Sequence, residues 1–235
     1  EGFEGVVDVL GERALYWDTD ALGAEMREGA IPAELVDAAA LAREEAVEAA
    51  ADHDDELMAR YLDGEAIDVE TLRRAIRRGT LALGLVPVFC GSAFKNKGVQ
   101  PLLDGVVDYL PSPLDVPPIE GTRPKDGEKI TRKADDSEPF AALAFKIMTD
   151  KHAGTLTYLR VYSGQVKVGE QVLDVNTGRK QRIGQLLRMH ANKRQEIDEI
   201  HTGDIVAAVG LKDIVTGHSL AAVGKPILLE SLDFP

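Results

Sequence analysis

The 235-residue sequence predicts an α/β segment followed by an all-β barrel, and three observations carry that reading. An apolar run, Val86-Pro87-Val88-Phe89-Cys90, feeds the small-residue loop Gly91-Ser92-Ala93, after which Val99, Leu102, Leu103, Val106, Val107 and Leu110 recur on one helix face. Pro111, Pro113, Pro117 and Pro118 then fix φ at close intervals, forbid a helix and make a semi-rigid extended connector. From Phe140 onward, short β-type runs alternate with Gly, Asn and Asp, the pattern of a closed barrel.

Taken in order, Phe3 to Leu10 and Leu15 to Trp17 are strand-like apolar pieces. Pro32 opens an Ala-rich stretch to about Ala51, which favours a long helix. Stepping by three and four puts Asp37, Glu44, Glu48, Asp52 and Asp55 along one side, with Glu45 beside them. Leu35, Ala39, Ala42, Ala46 and Ala49/Ala50 lie opposite as a small-residue docking face. Asp68 caps a second helix with Leu72, Ile76 and Leu81 inward. Arg73, Arg74, Arg77 and Arg78 crowd its C-terminal turns, where they complement the helix dipole, pair with the acidic helix or meet RNA. Gly105 interrupts the helix over 99–110, where Ala is the better helix former by about 1 kcal/mol.

Gly121 to Ser137 is polar and charged, a mobile loop or hairpin, and the second domain begins near Glu138. Its predicted strands are Ala142–Ile147, Leu156–Tyr162, Gln171–Val175, Lys180–Leu187, Ile205–Gly210 and Ile227–Leu232. The domain boundaries follow as 1–84, 85–112, a linker at 113–137, and 138–235.

An apolar content of 44% is ordinary for packed globular domains, and no apolar run approaches the roughly 20 residues of a membrane span. Cys90 is the single cysteine, expected to be buried on its strand and inert, which fits a reducing, cytoplasmic setting. Charge is divided sharply. Residues 1–70 hold 21 acidic and 4 basic side chains, a balance of −17 against the chain's −13, so residues 71–235 carry +4. Such a division suits two surfaces with different partners.

Gly91, Ser92 and Ala93 let backbone N–H groups approach a planar base edge without a bulky side chain, or simply turn a strand into a helix. Asn96-Lys97 is followed by Gly98 and Val99, so no carboxylate completes a guanine-reading Asn-Lys-x-Asp. A Gly-x-x-x-x-Gly-Lys-Ser/Thr phosphate loop is absent. His53, His152, His190, His201 and His218 show no paired spacing, which disfavours a zinc site.

Residue blocks along the whole chain bear a resemblance to one family. They are Phe3-Glu4-Gly5-Val6-Val7-Asp8, Asp55-Glu56-Leu57-Met58, Tyr61-Leu62-Asp63-Gly64-Glu65, Cys90 through Gln100, and Val107 through Pro113. Glu138 through Lys146, Arg160-Val161-Tyr162-Ser163-Gly164, Met189 through Arg194 and Gly210-Leu211-Lys212-Asp213 continue them in order. The series resembles bacterial or organellar elongation factor G, the translocation GTPase of the ribosome. Departures are modest, among them Lys151-His152-Ala153 in place of a more apolar approach to Gly154.

The resemblance implies a remnant of a P-loop GTPase domain with an acidic α+β insert at 1–84, then the translation-factor barrel. It implies that Ser92, Ala93 and Phe94 form the guanine-contact loop, and that Glu48, Asp52 and Asp55 meet the C-terminal domain of the ribosomal stalk protein. GTP and Mg²⁺ belong to the full-length parent, with neither expected on this chain alone, and GTP hydrolysis by the chain alone is not expected.

Arg179, Lys180, Arg182, Arg188, Lys193 and Arg194, with no acidic residue between them, read as a solubilising strand or as a contact with small-subunit ribosomal RNA. The resemblance favours RNA. The expected partner is the ribosome, with no membrane and a monomeric state. The alternatives are a related translational GTPase, such as a recycling or ribosomal-protection factor, and a non-enzymatic ribosome-binding adaptor.

Overall fold

The computed structural model describes residues 2–18, 23–150, 154–190 and 193–229. His152 and its neighbours, Asn192, and positions 230–232 of the predicted last strand lie outside the described residues. Two compact units divide the chain, Glu1–Pro111 and Ser112–Pro235.

The first unit opens with a meander of β1 (Gly5–Asp8), β2 (Arg13–Trp17) and β3 (Met26–Gly29), in the order β1-β2-β3. Asp8 builds the first turn by accepting from the Gly11 N–H at 3.0 Å and the Arg13 Nε at 3.0 Å. The third strand, Met-Arg-Glu-Gly, has one apolar residue, so its sequence carries no alternation to reveal it.

Helix α1 (Val36–Ala51) follows a 3-10 turn after Pro32. Val47, Ala50 and Ala51 are its buried residues, with Ala39, Ala42 and Ala46 half-buried. Leu35 and Ala49, expected on the docking face, are exposed instead, because the helix turns Val47 toward Leu57 and Leu72. Helix α2 (Asp55–Leu62) is new relative to the sequence reading. Its cap is Asp54, whose side chain accepts from the Glu56 and Leu57 N–H groups. Helix α3 (Val69–Leu81) starts at Asp68, which accepts from the Thr71 N–H at 2.8 Å, and buries Leu72, Ala75 and Gly79.

The segment before the small-residue loop is not a strand. Among the described residues no strand pairs with 85–91; Val86 and Val88 are 83% and 81% exposed, and Cys90 is exposed rather than buried. Extended backbone becomes sheet only beside a partner edge, and none flanks it here. Helix α4 (Val99–Tyr109) follows, buried at Gly105 and Tyr109. A Cβ at Gly105 would collide with the Phe89 ring, so an alanine there obliges that ring to shift.

In the second unit, the polar stretch after the prolines is a hairpin, β4 (Ile119–Thr122) and β5 (Lys129–Arg132). Long β6 (Ala141–Asp150) and β7 (Gly154–Ser163) follow, then β8 (Val166–Lys167), β9 (Gln171–Asp174) and β10 (Arg179–Arg182). The remainder are β11 (Gln185–His190), β12 (Lys193–Ile197), β13 (Glu199–Ile200), β14 (Ile205–Val209), β15 (Ser219–Ala222) and β16 (Leu228–Leu229). Eight of them form one antiparallel sheet, β10-β9-β15-β6-β7-β14-β11-β12.

Strands β10 and β11 lie far apart in that order, yet only Ile183 and Gly184 join them, so the sheet curls until its ends meet. The Gly184 N–H donates to the Val209 carbonyl at 3.1 Å and the Ile183 N–H to Glu170 at 3.0 Å. Gln181 completes closure, donating to the Lys212 carbonyl and accepting from the Lys212 N–H. Inside are Leu159, Val161, Ile183, Leu186, Ile200, Val206 and Leu220, all buried. The result is an α/β unit followed by an all-β barrel, as the sequence predicts.

Candidate functional site

The small-residue loop is a closed six-residue turn. The Ser92 N–H donates to the Lys97 carbonyl at 2.8 Å, and the Ser92 carbonyl accepts from Lys95 at 2.9 Å and from Lys97 at 3.1 Å. Ser92 thus sets the loop through its backbone. A 3-10 turn, Ala93–Lys95, fills the tip. Gly98, at φ 85°, approaches Cys90 and Gly91 so closely that a Cβ would lie 2.9 Å from the Cys90 carbonyl oxygen.

The chemistry of the tip lies in its backbone. A helical turn leaves its first N–H groups without internal acceptors, and those of Ala93 and Phe94 donate to nothing among the described residues. Both residues are exposed, Phe94 fully so. Two adjacent N–H groups without an internal acceptor can receive a carbonyl oxygen such as the keto group of a purine. Among the described residues, no three His, Cys, Asp or Glu gather as a metal site.

Two side chains anchor the loop's base. Lys97 is only 8% exposed, and its Nζ donates to the Phe3 carbonyl at 2.9 Å. Gln100, in the first turn of α4, accepts from the Trp17 indole N–H at 2.9 Å and donates to the Gly23 carbonyl at 3.1 Å. The sequence weighs Lys97 only as part of Asn96-Lys97 and gives neither residue an anchoring role, because a buried lysine and a bridging amide leave no periodic trace. A cavity of about 490 Å³ lies beside Leu15, Ile76, Phe89 and Tyr109, and neither Ala93 nor Phe94 lines it.

The acidic residues Glu48, Asp52 and Asp55 are all exposed, but they sit on different elements: Glu48 in α1, Asp52 at its C-cap and Asp55 at the start of α2. Glu48 accepts from the Tyr61 hydroxyl at 2.7 Å, and this bond pushes the phenol up to about 12. The arginines of α3 bind locally. Arg78 pairs with Asp54 at 2.8 Å, Arg73 approaches Asp108 at 3.9 Å, and Arg77 donates to the Asp108 carbonyl at 2.7 Å, at the end of α4.

The six basic residues of the barrel share neither one face nor one state of pairing. On β10, Lys180 and Arg182 point one way and Arg179 the other, by strand alternation. On the β11–β12 hairpin, Arg188 faces with Lys193, and Arg194 lies opposite. Arg179 meets Asp213 at 3.1 Å, Arg188 meets Asp204 at 3.5 Å and Arg194 meets Asp150 at 2.6 Å. Lys180, Arg182 and Lys193 make no ion pair among the described residues and are exposed. Carboxylates distant in sequence thus reach half of a stretch that looks purely basic.

No helix among the described residues is long and apolar enough to cross a membrane. Residues 154–221 match the family described as elongation factor Tu domain 2. The chain also superposes on a solved structure from Thermus thermophilus with a TM-score of 0.75 and 26% identity, over 100% of this chain and 33% of that one. It therefore spans about a third of the length of that protein. The strands from β7 to β15 are thus similar to the second domain of elongation factor Tu.

Proposed function

We propose that this chain is part of a translocation GTPase of the elongation factor G type, which binds and hydrolyses GTP on the ribosome to move tRNA and messenger. The observation that carries the reading is the pairing, in one chain, of a barrel similar to elongation factor Tu domain 2 with a turn whose Ala93 and Phe94 N–H groups have no acceptor among the described residues. In this reading Ser92 holds the turn, and the Ala93 N–H meets the guanine keto oxygen. Glu48, Asp52 and Asp55 present acid to the stalk protein's C-terminal domain. Lys180, Arg182 and Lys193, the unpaired cations, lead the contact with small-subunit ribosomal RNA, with Arg179, Arg188 and Arg194 behind their carboxylates. Each exposed pair contributes only about 0.2–1 kcal/mol, so both contacts are fast and salt-sensitive. GTP and Mg²⁺, when bound in the complete polypeptide, supply the phosphoryl chemistry; this chain's part is to read the base.

The test is ribosome-stimulated GTP hydrolysis together with a toeprint of messenger movement, using the complete polypeptide that carries this segment. The reading expects hydrolysis that rises on adding ribosomes and a toeprint shift of one codon. Hydrolysis without a shift would reassign the chain to a recycling or protection factor. Failure to bind GTP would leave a non-enzymatic adaptor.

A further inference from the structure

The base-contact turn carries no side-chain reader of its own, so where its two N–H groups point depends on what holds the turn. Its internal bonds, from Ser92 to Lys97, make it a small rigid body. They say nothing of how that body is aimed. Lys97 and Gln100 reach out of the turn and its following helix to Phe3, Trp17, Gly23 and Ala24.

Lys97 is a buried cation whose Nζ ends on the Phe3 carbonyl, two residues before β1. Gln100 spans the β2–β3 connection, accepting from Trp17 on β2 and donating to the Gly23 and Ala24 carbonyls at 3.1 and 3.3 Å. Backbone also meets backbone there, since a Cβ at Gly23 would lie 2.6 Å from the Lys95 carbonyl oxygen. A buried amine and an amide with both ends satisfied hold a geometry more firmly than exposed pairs do, because leaving either partner unmet carries a desolvation cost.

We propose that Lys97 and Gln100 are positioning residues for base recognition: they aim the Ala93 and Phe94 N–H groups by bolting the turn to the three-stranded sheet. The proposal rests on the reading of that turn as a guanine contact. It makes the sheet part of the nucleotide site's specificity, although no sheet residue touches the base. Keto and amino purines differ at the position that an N–H donor faces, so mis-aiming the turn lowers discrimination between GTP and ATP before it lowers affinity for phosphate.

Two measurements test it. In this chain, proton exchange by NMR is followed at the Trp17 indole and at the Ser92 and Lys97 amides. Gln100→Ala is expected to speed indole exchange by about tenfold, the worth of one hydrogen bond, while Gln100→Glu, which keeps the acceptor, stays near the wild type. In the complete polypeptide, the ratio of GTP to ATP affinity is expected to fall by about tenfold in Gln100→Ala and in Lys97→Met, and to recover in Lys97→Arg. Variants are compared only where thermal unfolding stays cooperative, and Lys97→Arg keeps the test open if Lys97→Met does not fold. A wild-type ratio retained in folded Gln100→Ala and Lys97→Met overturns the positioning role and leaves the guanine reading standing. A wild type that does not distinguish GTP from ATP overturns the guanine reading, and the proposal with it.

Discussion

Removing the carboxylate of Asp54 separates a helix cap from an ion pair. One oxygen, Oδ1, accepts from the Glu56 and Leu57 N–H groups at 3.2 Å each, and the other, Oδ2, meets Arg78 at 2.8 Å. Asp54→Ala removes both. Loss of the cap costs about 0.5–2 kcal/mol. The pair adds about 0.2–1 kcal/mol, since the Arg78 side chain is 64% exposed and screened by water. The expected loss is therefore about 1–3 kcal/mol. Asp54→Asn keeps an acceptor for both amides and forfeits only the pair, so it should cost no more than about 1 kcal/mol and should match Arg78→Ala. Urea denaturation followed by emission of Trp17, the single tryptophan and a member of the same compact unit, measures all three. Asn as damaging as Ala would show that charge, not capping, starts α2 and would refute the reasoning.

Gly98→Ala forces a Cβ to 2.9 Å from backbone at Cys90 and Gly91 at a φ of 85°, and should destabilise the first unit by about 2–4 kcal/mol by denaturation. Gly105→Ala should also destabilise, by about 1 kcal/mol net, because displacing the Phe89 ring outweighs the gain in helix propensity; a rise in melting temperature would contradict this. His201 is raised above its ordinary value, chiefly by its bond to Asp136, and Asp136 is lowered, chiefly by the Thr202 N–H. The histidine's stabilising share is full below its unfolded pKa and is lost as pH rises through the raised value. The aspartate's share is full above its unfolded pKa and is lost as pH falls through the lowered one, so the pair supports the barrel best between the two. NMR titration of His201 should show its raised value return toward about 6.5 in Asp136→Asn. Glu48→Gln should bring the Tyr61 phenol down from about 12, seen in its ring resonances at high pH.

Much of the fold is legible because composition and period mark it: β7 buries Leu156, Leu159 and Val161, α1 is rich in alanine, and α3 and α4 are periodic. What escaped notice is short or chemically plain. Ser219–Ala222 is a central strand of small residues, and Lys193–Ile197 is a charged strand at the end of the sheet order, so neither shows an apolar alternation. Strand Lys180–Leu187, read as one, is two because closure bends the chain at Ile183–Gly184. Cys90 misled for the opposite reason: its apolar neighbours promise a strand, but pairing needs an edge that local sequence does not encode. At the candidate site, Ser92 to Phe94 stood out through small residues and a strand–loop–helix pattern. The anchoring roles of Lys97 and Gln100 did not, since they rest on Phe3, Trp17 and Gly23, many residues upstream.

The most direct measurement is cryo-electron microscopy of the complete polypeptide on the ribosome with a non-hydrolysable GTP analogue. The account predicts the guanine keto oxygen at hydrogen-bonding distance from the Ala93 N–H, with Lys180, Arg182 and Lys193 turned toward small-subunit RNA. A nucleotide bound away from residues 92–94, or a barrel whose basic strands face solvent, would contradict it.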